Sequence, residues 1–264
     1  DKSVLKARTM INMDSEDEGV ATVSCAGGLR VQFTKEIKRT TVQGSLLTLK
    51  VEGLLGGHSG QDIDKERQNA DLLMARMIQR LLKETKGQLV SFNGGTKDNA
   101  IPRECEASLI YESDEEAAKA EELACELAET YAEELTPAEP DFSCEISCET
   151  NRTAEAIPQD AAKEFICAMR LAPNGIQKRN IKMDGFVVVS LNLGVVRTEE
   201  DRIVMIFSPR SSVASLQEDT KERLNTLAET FGFTVSHSSE YPGWSFKEDS
   251  PVREICKESY KELF

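Results

Sequence analysis

The strongest constraint on this chain is a change of hydrophobic period that recurs in one order. Leu47, Leu49 and Val51 alternate with Thr48, Lys50 and Glu52, the two-residue repeat of a strand with one polar face. After a glycine-rich turn at 56–62, Ala70, Leu73, Met77 and Leu81 fall on one stripe of a helix running to about residue 84. Strands follow at 88–92 and 103–111, the second with Cys105, Ala107, Leu109 and Tyr111 on one face. Asp114 reads as the cap of a helix that carries Ala120, Leu123, Leu127, Tyr131 and Leu135. Phe142, Cys144, Ile146 and Cys148 then alternate with Ser143, Glu145, Ser147 and Glu149. Strand, helix, strand, strand, helix, strand is the order of a split βαβ, ferredoxin-like unit.

The rhythm then repeats. A helix at 158–171 carries Ala162, Phe165, Ile166 and Met169, and strands follow at 186–196 and 202–210. A helix at 215–231 and a strand at 233–237 complete the second round. The expected fold class is therefore α+β, a tandem pair of ferredoxin-like units, with the strand at 142–150 available to both halves. Residues 1–38, strand-like with turns, and 241–264, which leave the pattern, read as pieces of another domain on either side of residues 39–240.

Charge and residue usage narrow the chemistry. With 46 acidic against 32 basic residues and a net charge of -14, the chain offers no basic surface for nucleic acid. No apolar run approaches the length of a membrane span. Seven cysteines, an odd number without regular spacing, fit thiols in a reducing cytoplasm. Only two histidines are present, so a complete His-rich hydrolytic metal site is not expected within the chain.

Four residues are candidates for a site. His58 lies in the turn Gly56-Gly57-His58-Ser59-Gly60-Gln61-Asp62, where glycines let the backbone approach a ligand. It could be an incidental loop histidine, part of a phosphate cradle, or a donor to a developing oxyanion; Asp62 reads as the cap of the following helix. Asn99, in the tight Gly-Gly-to-Pro connection at 94–102, can point an amide outward or simply occupy a hairpin turn. Arg210, ending a strand in Ser208-Pro209-Arg210-Ser211-Ser212, suits a carboxylate or a surface ion pair. Asp14, with acids behind it just past a strand, could ligate a metal, although a solvated acidic turn is the simpler reading.

Three sets of motifs together resemble one family. INMDSEDEG at 11–19, GGHSGQDIDKERQNA at 56–70 with FNGGTKDNAIPRE at 92–104, and SLNLGVV, FSPRSS and YPGW at 190–244 resemble the aminoacyl-histidine dipeptidases (peptidase D, beta-alanyl-histidine or carnosine type). These belong to the di-zinc exopeptidases that include aminoacylase and carboxypeptidase G. The resemblance implies that 39–240 form a lid and dimerisation domain, flanked by edges of an α/β zinc-exopeptidase catalytic domain. It implies Asp14 as a ligand of one of two Zn2+ ions (or of Mn2+ or Co2+ in their place) and His58 as the lid histidine that stabilises the oxyanion. It further implies Asn99 as a substrate contact and Arg210 as the residue that holds the substrate's C-terminal carboxylate. The family's His-x-Asp pair, bridging aspartate, Glu-Glu pair and C-terminal histidine have no counterpart here, so the isolated chain is expected to be inactive.

Two functions follow as expectations. One is the lid-centred part of a cytoplasmic, homodimeric Xaa-His dipeptidase acting on dipeptides. The other is a non-catalytic ferredoxin-like dimerisation or ligand-binding module.

Overall fold

The computed structural model describes residues 7, 9–12, 19–182, 185–244 and 246–263. Among these residues, its centre is one nine-stranded antiparallel sheet. In chain order the elements are β1 (Gly27–Glu36), β2 (Thr40–Glu52), β3 (Gly57–His58), α1 (Ala70–Glu84), β4 (Gln88–Gly94), β5 (Ala100–Ile101) and β6 (Cys105–Tyr111). They continue as α2 (Asp114–Leu135), β7 (Ser143–Ala156), α3 (Gln159–Leu171), β8 (Gly175–Arg179), β9 (Val187–Thr198), β10 (Arg202–Ser211), α4 (Ala214–Thr230), β11 (Thr234–Tyr241) and α5 (Pro251–Leu263). The order across the sheet is β11-β1-β10-β9-β4-β6-β2-β7, with β8 paired to β9 as well, and β3 and β5 form a separate two-stranded ribbon.

Local chemistry explains the main elements. In β2, Leu47, Leu49 and Val51 are fully buried while Thr48, Lys50 and Glu52 are only half-covered. Helix α1 is capped by Asn69, whose side-chain oxygen accepts the amides of Asp71 at 3.0 Å and Leu72 at 3.3 Å. Its buried Leu73, Met74, Met77, Ile78 and Leu81 face the sheet. One continuous core draws on alternate residues of every central strand and on α1 to α4. Phe33 stacks at 4.8 Å from Phe207, and Phe92 meets Phe165 edge-on at 5.4 Å. The opposite face of the sheet is polar.

The sheet divides into two similar halves. In the first, β2, α1, β4, β6, α2 and β7 follow one another, and the strands lie in the order β7-β2-β6-β4. In the second, β1, α3, β9, β10, α4 and β11 supply the same succession, with strands in the order β11-β1-β10-β9. Two expectations change here. β7 does not serve both halves: it pairs with β2 at the sheet's edge. The first strand of the second half is instead β1, within the residues assigned to an edge of another domain, so the boundary at residue 38 does not hold for Gly27–Glu36. The physical reason is the buried face of β1: lying between β10 and β11, it turns Leu29, Val31 and Phe33 into the core under α4.

The halves meet along a short seam. Gly94 and Val196 are the one residue pair joining β4 to β9 among the described residues. Side chains reinforce it: Phe92 N–H donates to Thr198 Oγ1 at 2.9 Å, and Arg197 Nη1 donates to the carbonyls of Gly94 and Val196, each at 2.6 Å. Beyond the sheet, α5 carries no buried side chain among its residues.

Candidate functional site

His58 is held by its own turn. Its amide donates to Asp62 Oδ2 at 2.8 Å, and the Asp62 amide returns a bond to the His58 carbonyl at 2.9 Å. Lys65 first, and then the His58 amide, hold the Asp62 carboxyl below the usual carboxylate range. Asp62 is therefore not the cap of α1, a role that Asn69 fills seven residues later; its carboxylate fixes the histidine's backbone. Gly57 has φ 141°, and a Cβ there would come within 2.8 Å of Asp62.

The ring is fixed as well. Nδ1 accepts the backbone N–H groups of Gly60 and Gln61, both at 3.2 Å. Those groups can only donate, so in the neutral ring the proton resides on Nε2. The base of the turn is tied by Glu139, a buried residue that sequence reading did not single out. Its carboxylate accepts the amides of Leu55 at 2.7 Å and Gln68 at 2.9 Å. Arg103 Nε, donating to Leu54 O at 3.0 Å, closes the same base. Glu139 comes from beyond α2, so no local spacing could have tied it to this turn.

The second loop lies against the first. Gly57 pairs with Ile101 and His58 with Ala100, while the Ser59 amide donates to Asn99 O at 2.9 Å. Asn99 is exposed beside the histidine. Asp98 forms an ion pair with Arg30 of β1 at 2.8 Å. That contact draws the Asp98 carboxyl below its ordinary range, mainly through the Arg30 hydrogen bond.

Arg210 reaches the same place from the second half. It pairs with Gly28 on one side and Ser190 on the other, and Gly28 in turn pairs with Tyr241. Paired residues share a face, so Arg210 lies on the polar side of the sheet. Its Nη1 donates to Tyr241 Oη at 2.9 Å, and its Nε is buried without a hydrogen-bond partner. A Cβ on Gly60 would lie 3.1 Å from His58 Cε1 and 3.4 Å from Arg210 Cζ. The fold thus brings His58, Asn99 and Arg210 together across the seam, two from the first half and one from the second. Asp14 lies outside the described residues, and among those residues no three His, Cys, Asp or Glu side chains gather as a metal-binding group.

A family model described as a peptidase dimerisation domain (M20 type) matches residues 49–139. The chain is 32% identical over 266 residues to the cytosol non-specific dipeptidase of Escherichia coli (strain K12), a match covering 98% of this chain and 54% of that protein. It superposes on the crystal structure of aminoacylhistidine dipeptidase from Vibrio alginolyticus with a TM-score of 0.91 at 32% identity, over 99% of this chain and 54% of that one. Over the part they share, this chain is similar to the peptidase D dipeptidases. The chain spans about half the length of the peptidase D relatives it matches. Within the part it shares with them, this chain carries the paired loops and the arginine strand, and its described residues contain no group of three His, Cys, Asp or Glu side chains that could hold a metal ion.

No helix among the described residues is long and apolar enough to cross a membrane.

Proposed function

We propose that this chain is the lid-centred part of a metallo-dipeptidase that hydrolyses dipeptides of the Xaa-His type. The two four-stranded halves then read as ferredoxin-like units of the lid. The observation that carries the proposal is the convergence of His58, Asn99 and Arg210 beside Gly60.

Each of these residues has a task suited to its surroundings. With Nδ1 occupied by two amides, His58 offers its Nε2–H to a developing oxyanion, and the donor is oriented before substrate arrives. Arg210, with Tyr241 holding one end and a buried Nε free of partners, grips the carboxylate at the dipeptide's C-terminus. Asn99 supplies an exposed amide between them to orient the substrate. Closing these loops over the substrate excludes water.

Metal dependence belongs to the same reading. Two Zn2+ ions, or Mn2+ or Co2+ in their place, would be held by residues beyond this chain together with Asp14. A homodimer formed through the lid and a cytoplasmic setting complete the proposal. They are supported by the dimerisation-domain match and by the cytosol dipeptidase relative.

The test uses the full-length protein that carries this chain. His58→Ala should lower kcat by about 100-fold or more, as loss of an oxyanion donor does, with metal content unchanged. An unchanged kcat would sink the oxyanion role of His58, and no hydrolysis by the full-length protein would leave a non-catalytic binding module as the better account.

A further inference from the structure

Asn192, on β9, is buried on the polar face of the sheet, opposite Ser208 of β10. Its Nδ2 donates to Asp98 O at 3.2 Å and to Ala100 O at 2.8 Å, the two carbonyls that flank Asn99. The carbonyl of Asn99 itself is taken by the Ser59 amide at 2.9 Å. Three successive carbonyls are thereby fixed, two by one side chain of the second half and one by the histidine turn. The backbone of Asp98 also rests directly on Gly194, where a Cβ would fall 2.5 Å from the Asp98 carbonyl oxygen. That close approach holds the loop near the Asn192 amide.

Asn192 Oδ1 is buried and has no hydrogen-bond partner. An apolar side chain on β9 would avoid the cost of that unsatisfied acceptor but would leave the Asp98 and Ala100 carbonyls without their donor. The amide contributes through its two donated bonds, and both end on the loop that presents Asn99.

We infer that Asn192 is a positioning residue: it holds the Asn99 loop, and through Ser59 the His58 turn, in working register across the seam between the two halves. The inference rests on the proposed roles of His58 and Asn99. It adds a residue that acts through them without touching substrate.

The experiment is a mutant cycle in the full-length enzyme. Asn192→Asp keeps the side-chain shape and, once ionised, turns both donors into an acceptor facing two carbonyls. It should lower kcat by about tenfold or more with KM changed less than about threefold, because the oxyanion donor and the substrate contact drift while the Arg210 carboxylate grip remains. Combined with Asn99→Ala and His58→Ala together, it should cost little beyond that pair. If Asn192→Asp does not fold, Asn192→Ala removes the same two bonds without adding charge and is read in the same way. An unchanged kcat, or effects that multiply, would overturn the inference provided that pair itself impairs hydrolysis. Full activity in both Asn99→Ala and His58→Ala would instead sink the functional reading, and this inference with it.

Discussion

His58 and Asp62 exchange two hydrogen bonds across four residues, amide to carboxylate at 2.8 Å and amide to carbonyl at 2.9 Å. The aspartate therefore sets the direction from which the imidazole leaves the backbone.

On the proposed oxyanion role of His58, Asp62→Ala should lower kcat of the full-length protein by about tenfold or more, since small displacements of such a group are costly. The clamp also has an acid limit. The Asp62 carboxyl has a lowered folded pKa, so its contribution is present above the unfolded value and lost as pH falls through the folded one. An unchanged pH–rate profile below about pH 4, compared between the parent and Asp62→Ala, would count against the clamp.

Tyr241 touches Arg210 through one hydroxyl, with its ring resting on Gly28. Tyr241→Phe keeps the ring and removes the bond. KM for dipeptides with a free C-terminal carboxylate should rise about three- to tenfold, the size of one hydrogen bond. Steady-state kinetics with amidated dipeptides should show no comparable change.

Glu139 closes the base of the histidine turn from a distant part of the chain. Glu139→Ala leaves the amides of Leu55 and Gln68 without their acceptor and should destabilise the fold by roughly 2–3 kcal/mol. Urea denaturation measures this directly. A shift in midpoint too small to resolve would mean the turn finds other partners.

Asp71 makes a pH prediction of opposite sign to Asp62. It lies in the first turn of α1 under Gly94, fully buried, with only the weak donor of the Cys105 thiol beside its carboxyl and no N–H or O–H partner among the described residues. Burial pushes it up to about 8, although the neighbouring Cys105 thiol and Arg197 pull the other way. Between the unfolded value and about 8 the folded chain binds a proton that the unfolded chain does not. Stability should therefore fall as pH rises through that window, by at most about 1.4 kcal/mol per pH unit. Asp71→Asn should flatten this dependence, as read from urea midpoints at several pH values.

Much of this architecture was legible in the chain's periodicity. The alternation through Leu47, Leu49 and Val51 and the stripe of Ala70, Leu73, Met77 and Leu81 mark β2 and α1 because local burial follows the geometry of each element. The turn at His58 was legible too, since glycines at 56, 57 and 60 advertise a tight bend. The role of Asp62 was not: an acid before a helix looks like a cap, and only the fold shows the cap to be Asn69.

What the sequence determined by itself is local: element types, their order, and four residues whose motifs match one family. What tertiary structure alone decided is long-range. β1 joins the second half although the whole first half separates it from α3, and there its apolar face lies in the core under α4. Arg210 meets His58 at Gly60, across about 150 residues, and Asn192 holds the carbonyls around Asn99 across more than 90. Periodicity records which face of an element is buried, but not which other element buries it.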